Sequence, residues 1–185
     1  MGEQHKKHNR REHLNDFHLN VAGEYVYDGA LYACQNDDAK QRRSKRAVWG
    51  MAAILTVAVA AGGCIPAPGM QNCFYVLLPY LGEFLGAASV IWALAKLGMD
   101  WGAVREYNYQ KSVAVLPVRT AVTAVFSLLG IVCELIFFFV NDHAGQTFFA
   151  LLYVLLKLIA LLSVLVLRAE IMQAEWDKLP KKNNF

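Results

Sequence analysis

The sequence lacks the short motifs with which many enzymes hold phosphate, zinc or an activated serine. It contains no phosphate-cradling glycine loop, no cluster at zinc-ligand spacing and no G-x-S-x-G elbow. Its basic residues flank apolar stretches instead of forming a patch of their own, so nothing indicates nucleic-acid recognition. We therefore expect no catalytic residues, no metal, no cofactor and no nucleic-acid partner, and a non-enzymatic role is favoured over an enzymatic one.

A cleavable signal peptide is also missing, because the first apolar stretch begins only after residue 46, behind two basic segments. The histidines near the start lie among charged residues and match no metal-ligand spacing. We interpret residues 1–46 as a basic cytoplasmic arm that leans on anionic lipid.

Apolar residues, by contrast, are abundant: they make up 56% of the 185 residues and are gathered into four long stretches. Each stretch approaches the roughly 20 residues that cross a bilayer core about 30 Å thick. The stretches mostly lack a polar face at helical spacing. The sequence thus predicts an all-α membrane protein with a four-helix transmembrane bundle over residues 47–168. The predicted spans are residues 47–64, 74–97, 120–140 and 147–167.

Lysine and arginine are absent from two of the connections between these spans, residues 65–73 and 141–147. The N-terminal arm, the 98–119 connection and the tail all carry several of them. Connections rich in Lys and Arg stay on the cytoplasmic side of a membrane. The alternation predicts a multi-pass protein of the cell membrane with both termini in the cytoplasm, and the lipid bilayer as its first partner.

Two Glu-Tyr-x-Tyr segments, at 24–27 and 106–109, fall on this same side. Asp28-Gly29 is a hairpin turn dipeptide between strand formers, which predicts a small cytoplasmic β-hairpin over about 22–35. The segment 106–117 has strand character, so it either adds a strand or lines the cytoplasmic end of the bundle. The tyrosines then pack the hairpin and the lipid interface, or they form a docking surface for a partner.

Three ionisable residues, Glu83, Glu134 and Lys157, fall inside the predicted spans. A charge at the centre of a membrane costs roughly 2.5–3.5 kcal/mol, so these side chains should face protein or water. Helical rise places all three roughly 10–15 Å below the outer boundary, which predicts one intramembrane polar cluster. The other predicted members share helix faces with the three charges: Tyr80, Thr123, Ser127 and Tyr153.

The predicted cluster has three interpretations, which the sequence leaves open. Ion pairing could fix the helix register, or one glutamate could carry an exchangeable proton in a small transporter or channel, tuned by Lys157. Alternatively, one or more side chains snorkel or face an oligomer interface. Beside the cluster, Gly82-x-x-x-Gly86 predicts the close approach of another helix.

Cys64 and Cys73 flank a connection that contains proline and glycine, and they would form a disulfide if that face is oxidising and their Cα atoms lie close enough. The tail, residues 169–185, is predicted to extend the last helix as far as Pro180. The sequence as a whole favours a structural, assembly or accessory membrane component, with a homo-oligomer or a membrane complex as its expected association. A proton- or ion-coupled transporter is the alternative.

Overall fold

Four long helices dominate the computed structural model, and each is long and apolar enough to cross a membrane, so the predicted four-helix membrane bundle is confirmed. Most of the chain is described, namely residues 17–19, 23, 25–27, 29–98, 101–141 and 147–179. Within these residues the helices are α1 (Asp38–Cys64), α2 (Pro68–Asn72), α3 (Phe74–Leu97), α4 (Glu106–Lys111), α5 (Leu116–Val140) and α6 (Thr147–Met172).

The first helix is longer than its apolar stretch. Helix α1 begins at Asp38, because the basic residues that follow are good helix formers and the carboxylate of Asp38 favours a helix N-terminus. Its 27 residues make a rod about 40 Å long, whose first turns lie outside the apolar segment. Helix α3 ends at Leu97, and the next residue, Gly98, has a φ of 68°, a backbone conformation that favours glycine.

The four long helices form a ring in the order α1, α6, α5, α3, and the ring is uneven. Packing is extensive between α1 and α6, α5 and α6, and α3 and α5, whereas α1 and α3 touch much less. Large apolar side chains cover the outer surface, among them Leu85, Leu128 and Leu162. Such an apolar exterior is what a bilayer, as solvent for the protein, favours.

Short strands gather at one end of the bundle, which we call the sheet end. In the described residues, β1 pairs antiparallel with β2, while β3 lies between β4 and β5 and pairs antiparallel with both. Because β3 leads into α1 and β4 follows α3, the sheet ties the start of α1 to the end of α3. The strands are β1 (Phe17–Leu19), β2 (Tyr25–Tyr27), β3 (Leu31–Cys34), β4 (Val104–Arg105) and β5 (Trp176–Lys178).

This strand pairing differs from the predicted hairpin over 22–35. The strands on either side of Asp28-Gly29 do exist, but β2 pairs with β1, and β3 pairs with strands from distant parts of the chain. The segment 106–117, predicted to have strand character, contains no strand: it begins with helix α4, and strand β4 lies just before it. The last helix ends at Met172, and Trp176–Lys178 is strand β5 instead of a helical extension. Pairing with β3 gives the backbone of this segment partners in a distant strand in place of its own helical hydrogen bonds: Leu179 N–H donates to the Leu31 carbonyl at 2.8 Å.

Aromatic rings join the sheet to α4. Tyr32 of β3 stacks on Tyr109 of α4 with ring centroids 4.2 Å apart and planes 6° apart. Trp176 of β5 lies 5.9 Å from the Tyr109 ring and 5.7 Å from that of Trp101, which is buried. The ammonium of Lys45 on α1 lies 5.7 Å from the centre of the Trp101 ring. The second Tyr-rich segment, 106–109, thus contacts strand β3, which follows the first, through one stacked pair.

Replacing Tyr109 with Leu is expected to lower the free energy of unfolding by about 0.5–1.5 kcal/mol beyond the effect of lost apolar area, because the stack is removed. SDS-induced unfolding followed by tryptophan fluorescence measures the change. Tyr25→Leu is the matched control, since Tyr25 is 75% exposed, and it should change stability by less than about 0.5 kcal/mol. Equal losses in the two variants would show that the stack contributes nothing.

Candidate functional site

An acid–base pair lies at the centre of the bundle. The Lys157 ammonium on α6 donates a hydrogen bond to Oε2 of Glu83 on α3, and the two side chains form a salt bridge. The Glu83 side chain is 0% exposed and that of Lys157 is 2% exposed. Both charges have therefore left water, and each depends on the other for compensation. The pair links two helices that are not direct neighbours in the ring.

Two tyrosine rings enclose the lysine. The Lys157 ammonium lies 4.6 Å from the centre of the Tyr80 ring and 5.1 Å from that of Tyr153, distances at which an aromatic face attracts a cation. Tyr80 also donates a hydrogen bond of 3.3 Å to the carbonyl of Val59, so α3 is tied to α1. Tyr153 is fully buried on α6. These rings replace part of the hydration that the ammonium loses.

The fifth helix contributes a polar stripe at the same depth. Ser127 donates a hydrogen bond of 3.2 Å to the backbone carbonyl of Lys157, and Gly130 leaves space for the lysine stem. A Cβ at Gly130 would lie 3.6 Å from Lys157 Cε, which is ordinary contact. Thr123, one turn before Ser127, is buried and bonds to the Arg119 carbonyl of its own helix at 2.8 Å. Ser127 is thus the member of the stripe that bonds across to α6.

Glu134 lies apart from the pair. Gly130 is the α5 residue that faces Lys157, so Glu134 is one helical turn, about 6 Å, further towards α2. Its side chain is 0% exposed, and the backbone of Gly69 on α2 is the hydrogen-bonding group that approaches its carboxyl, although the geometry falls short of a full hydrogen bond. It packs against Gly69 of α2, where an added Cβ would collide with Oε2. Of the predicted cluster, Glu83 and Lys157 are thus in direct contact, whereas Glu134 packs against α2 and is not part of their salt bridge.

The two predicted packing glycines face α5. A Cβ at Gly82 would come 2.5 Å from the Phe126 ring, and one at Gly86 would come 2.6 Å from Thr123 Oγ1 and 3.3 Å from Thr123 Cα. Contacts this short are not tolerated, so the absence of side chains at both positions lets α3 and α5 approach closely. This close approach brings the helix that carries Glu83 alongside the polar stripe of α5.

The remaining predicted site residues are two cysteines, and they are free thiols in this structure. Cys64, at the end of α1, is exposed, and Cys73, just before α3, is half-buried. Gly69, against which Glu134 packs, is a residue that the sequence pattern did not single out. The Pro-Ala-Pro-Gly run at 66–69 was the available signal, because such a run favours a chain that turns back on itself.

Chemically, the site is a compensated charge pair in an apolar bundle. Among the described residues no group of three or more His, Cys, Asp or Glu side chains is arranged to hold a metal ion. The paired charges are sealed from solvent, and such a pair fixes the relative register of the helices that carry it. The comparisons of this chain with protein-family models, with curated proteins and with solved structures find no match. The fold and the site establish a small integral membrane protein with four membrane-spanning helices.

Proposed function

We propose that this protein is a non-enzymatic structural, assembly or accessory component of the cell membrane, held in one shape by its central ion pair. The observation that carries the proposal is the complete burial of Glu83 and Lys157 against each other. A residue that exchanges protons or ions with solvent needs a route to water, whereas a register device does not. Two hydrogen bonds beside the pair also hold helices in register. Tyr80 to the Val59 carbonyl joins α3 to α1, and Ser127 to the Lys157 carbonyl joins α5 to α6.

The termini and the sheet end face the cytoplasm in this proposal. Three basic regions, the start of α1, the 98–119 connection and the chain after α6, share that end, while residues 65–73 contain no Lys or Arg. The retention of positive connections in the cytoplasm supports this orientation.

Cysteine labelling tests the orientation in a C64S/C73S background, which removes the native thiols near α2. Gln71→Cys should react with a membrane-impermeant maleimide in intact cells, because Gln71 is exposed on α2. Lys40→Cys, exposed on the first turn of α1, should react only after lysis. The reverse pattern would contradict the proposed orientation, and reaction of both in intact cells would show that α1 does not cross the membrane.

The proposed role is tested by two measurements on the full chain. In proteoliposomes with an imposed pH gradient, an enclosed pH dye should report no proton flux above that of empty vesicles. In mild-detergent extracts of native membranes, blue-native electrophoresis should show the protein in an assembly larger than the purified protein alone. Flux above the empty-vesicle rate, together with migration as an isolated chain, would overturn the proposal.

Proton-coupled transport is the second candidate, and the buried Glu134 carboxyl favours it. Ionisable residues inside a membrane often mark proton pathways, and Glu134, unlike Glu83, is not engaged in a salt bridge among the described residues. In such a transporter Glu134 is the proton carrier, and Glu134→Gln abolishes flux while the fold survives. Flux that is unchanged in E134Q would remove Glu134 from this role.

A further inference from the structure

An open apolar groove runs along the outside of the bundle between α1 and α3, the two neighbours in the ring that pack least. Its volume is about 340 Å³. Much of its lining consists of small side chains. Its two large aromatic side chains are Phe84, which is 48% exposed, and Trp92, which is 62% exposed. The lining includes Thr56, Ala60, Phe84, Ala88, Trp92 and Ala95.

The groove has the length of one bilayer leaflet. Along α3 it extends from Phe84 to Ala95, which corresponds to about 16 Å at the helical rise per residue. Half of a hydrocarbon core about 30 Å thick is about 15 Å. Thr56, its hydroxyl-bearing residue on α1, donates its hydrogen bond of 2.8 Å to the Ala52 carbonyl of its own helix. The hydroxyl is thereby satisfied, and the groove suits an alkyl chain.

Positive charges converge at one end of the groove. On α3, Lys96 follows Trp92 by one turn, and its ammonium lies 5.4 Å from the centre of the Trp92 ring. On α1, the exposed Arg42 lies on the helix face of the groove residue Ala60, since 18 residues make five whole turns, and the exposed Arg46 lies within about 40° of that face. The pairing of β3 with β4 holds the start of α1 and the end of α3 at the same, sheet end.

We propose that this groove binds one anionic phospholipid, with an acyl chain along the groove and the headgroup phosphate beside Lys96, Arg42 and Arg46. Basic clusters next to apolar clefts between transmembrane helices have the chemistry that anionic headgroups require. A second copy of the chain is disfavoured as the occupant. A two-fold axis along the membrane normal would place these three cations opposite the same three of the other copy, and like charges repel.

Quenching of Trp92 fluorescence by brominated lipid tests the proposal. The full chain is placed in phosphatidylcholine nanodiscs that contain increasing fractions of acyl-brominated phosphatidylglycerol or, separately, acyl-brominated phosphatidylcholine. The Trp92 signal is the difference between the wild-type protein and Trp92→Phe. Because each interfacial cation contributes roughly a fivefold gain for an anionic lipid, phosphatidylglycerol should half-quench Trp92 at a mole fraction at least about fivefold lower.

Four variants identify the occupant. The triple variant R42Q/R46Q/K96Q should bring the two lipids to about equal quenching, and K96Q alone should reduce the preference by roughly fivefold. The control K40Q/R43Q/K178Q removes the same charge from exposed cations away from the groove face and should keep the preference. Ala88→Phe, which fills the groove, should also abolish the preference for phosphatidylglycerol.

Equal quenching by the two lipids in the wild-type protein would overturn the proposal, and so would an equal loss of preference in the control variant. If quenching is equal and Ala88→Phe converts a dimer into a monomer in mass photometry, the groove holds a second copy and the lipid assignment is wrong. The lipid preference is measured on the purified protein without proton flux or native-membrane extracts, so its outcome is independent of the proposed function.

Discussion

Replacing Lys157 with Met is expected to lower the free energy of unfolding by about 3–5 kcal/mol, because Glu83 is left buried and uncompensated. The aromatic rings of Tyr80 and Tyr153 worsen the effect, since their faces attract cations and do nothing for a carboxylate. Unfolding by SDS, or by steric trapping in bicelles, measures the loss. Expression in the membrane should fall in parallel.

Leu158→Met is the matched control for Lys157→Met. Leu158 is the next residue on α6 but is 43% exposed on the outer surface, and a swap of similar volume there should cost less than about 0.5 kcal/mol. A loss below about 1 kcal/mol in Lys157→Met would contradict a buried, mutually dependent pair.

Replacing Gly86 with Val is expected to destabilise the bundle by about 1–3 kcal/mol or more, because α3 and α5 must separate to admit the side chain. The atoms that an added Cβ would meet include Thr123 Cα at 3.3 Å, and backbone cannot rotate away as a side chain can. Separation of α3 from α5 would also loosen the polar stripe beside Lys157. The same unfolding assay measures the change.

Gly50→Val in α1 is the control, because a Cβ at Gly50 meets no atom within 4 Å. There the gain in helix propensity over glycine should leave stability unchanged or slightly raised. If Gly50→Val is as destabilising as Gly86→Val, the effect arises from valine in a helix and not from the contact between α3 and α5.

The transmembrane architecture could be predicted from the sequence because length and apolar composition are local properties. The predicted spans 74–97 and 147–167 correspond to α3 and α6, and the apolar stretches sufficed to find them. Depth along a helix is also local, since the rise per residue is fixed. Counting residues from the ends of the spans therefore placed Glu83 and Lys157 at one level, where the structure pairs them.

The direction in which a side chain points around its helix, and the pairing of strands that are distant in the sequence, could not be predicted in this way. Glu134 was assigned to the cluster by depth, but its neighbours depend on how α5 is rotated, and Gly130 occupies the position facing Lys157. Strand β3 has the strand formers that predict a hairpin, yet its partners are Val104–Arg105 and Trp176–Lys178, far along the chain. Such partners are brought together only when the four helices have packed.

The double variant E83M/K157M tests most directly the claim that the central pair is a structural cross-link. The account predicts that removing both charges together restores the free energy of unfolding to within about 1 kcal/mol of the wild type or above it, since similar apolar side chains replace the pair without a desolvation cost. It also predicts that the assembly seen in native membrane extracts persists. A double variant no more stable than Lys157→Met would contradict the claim.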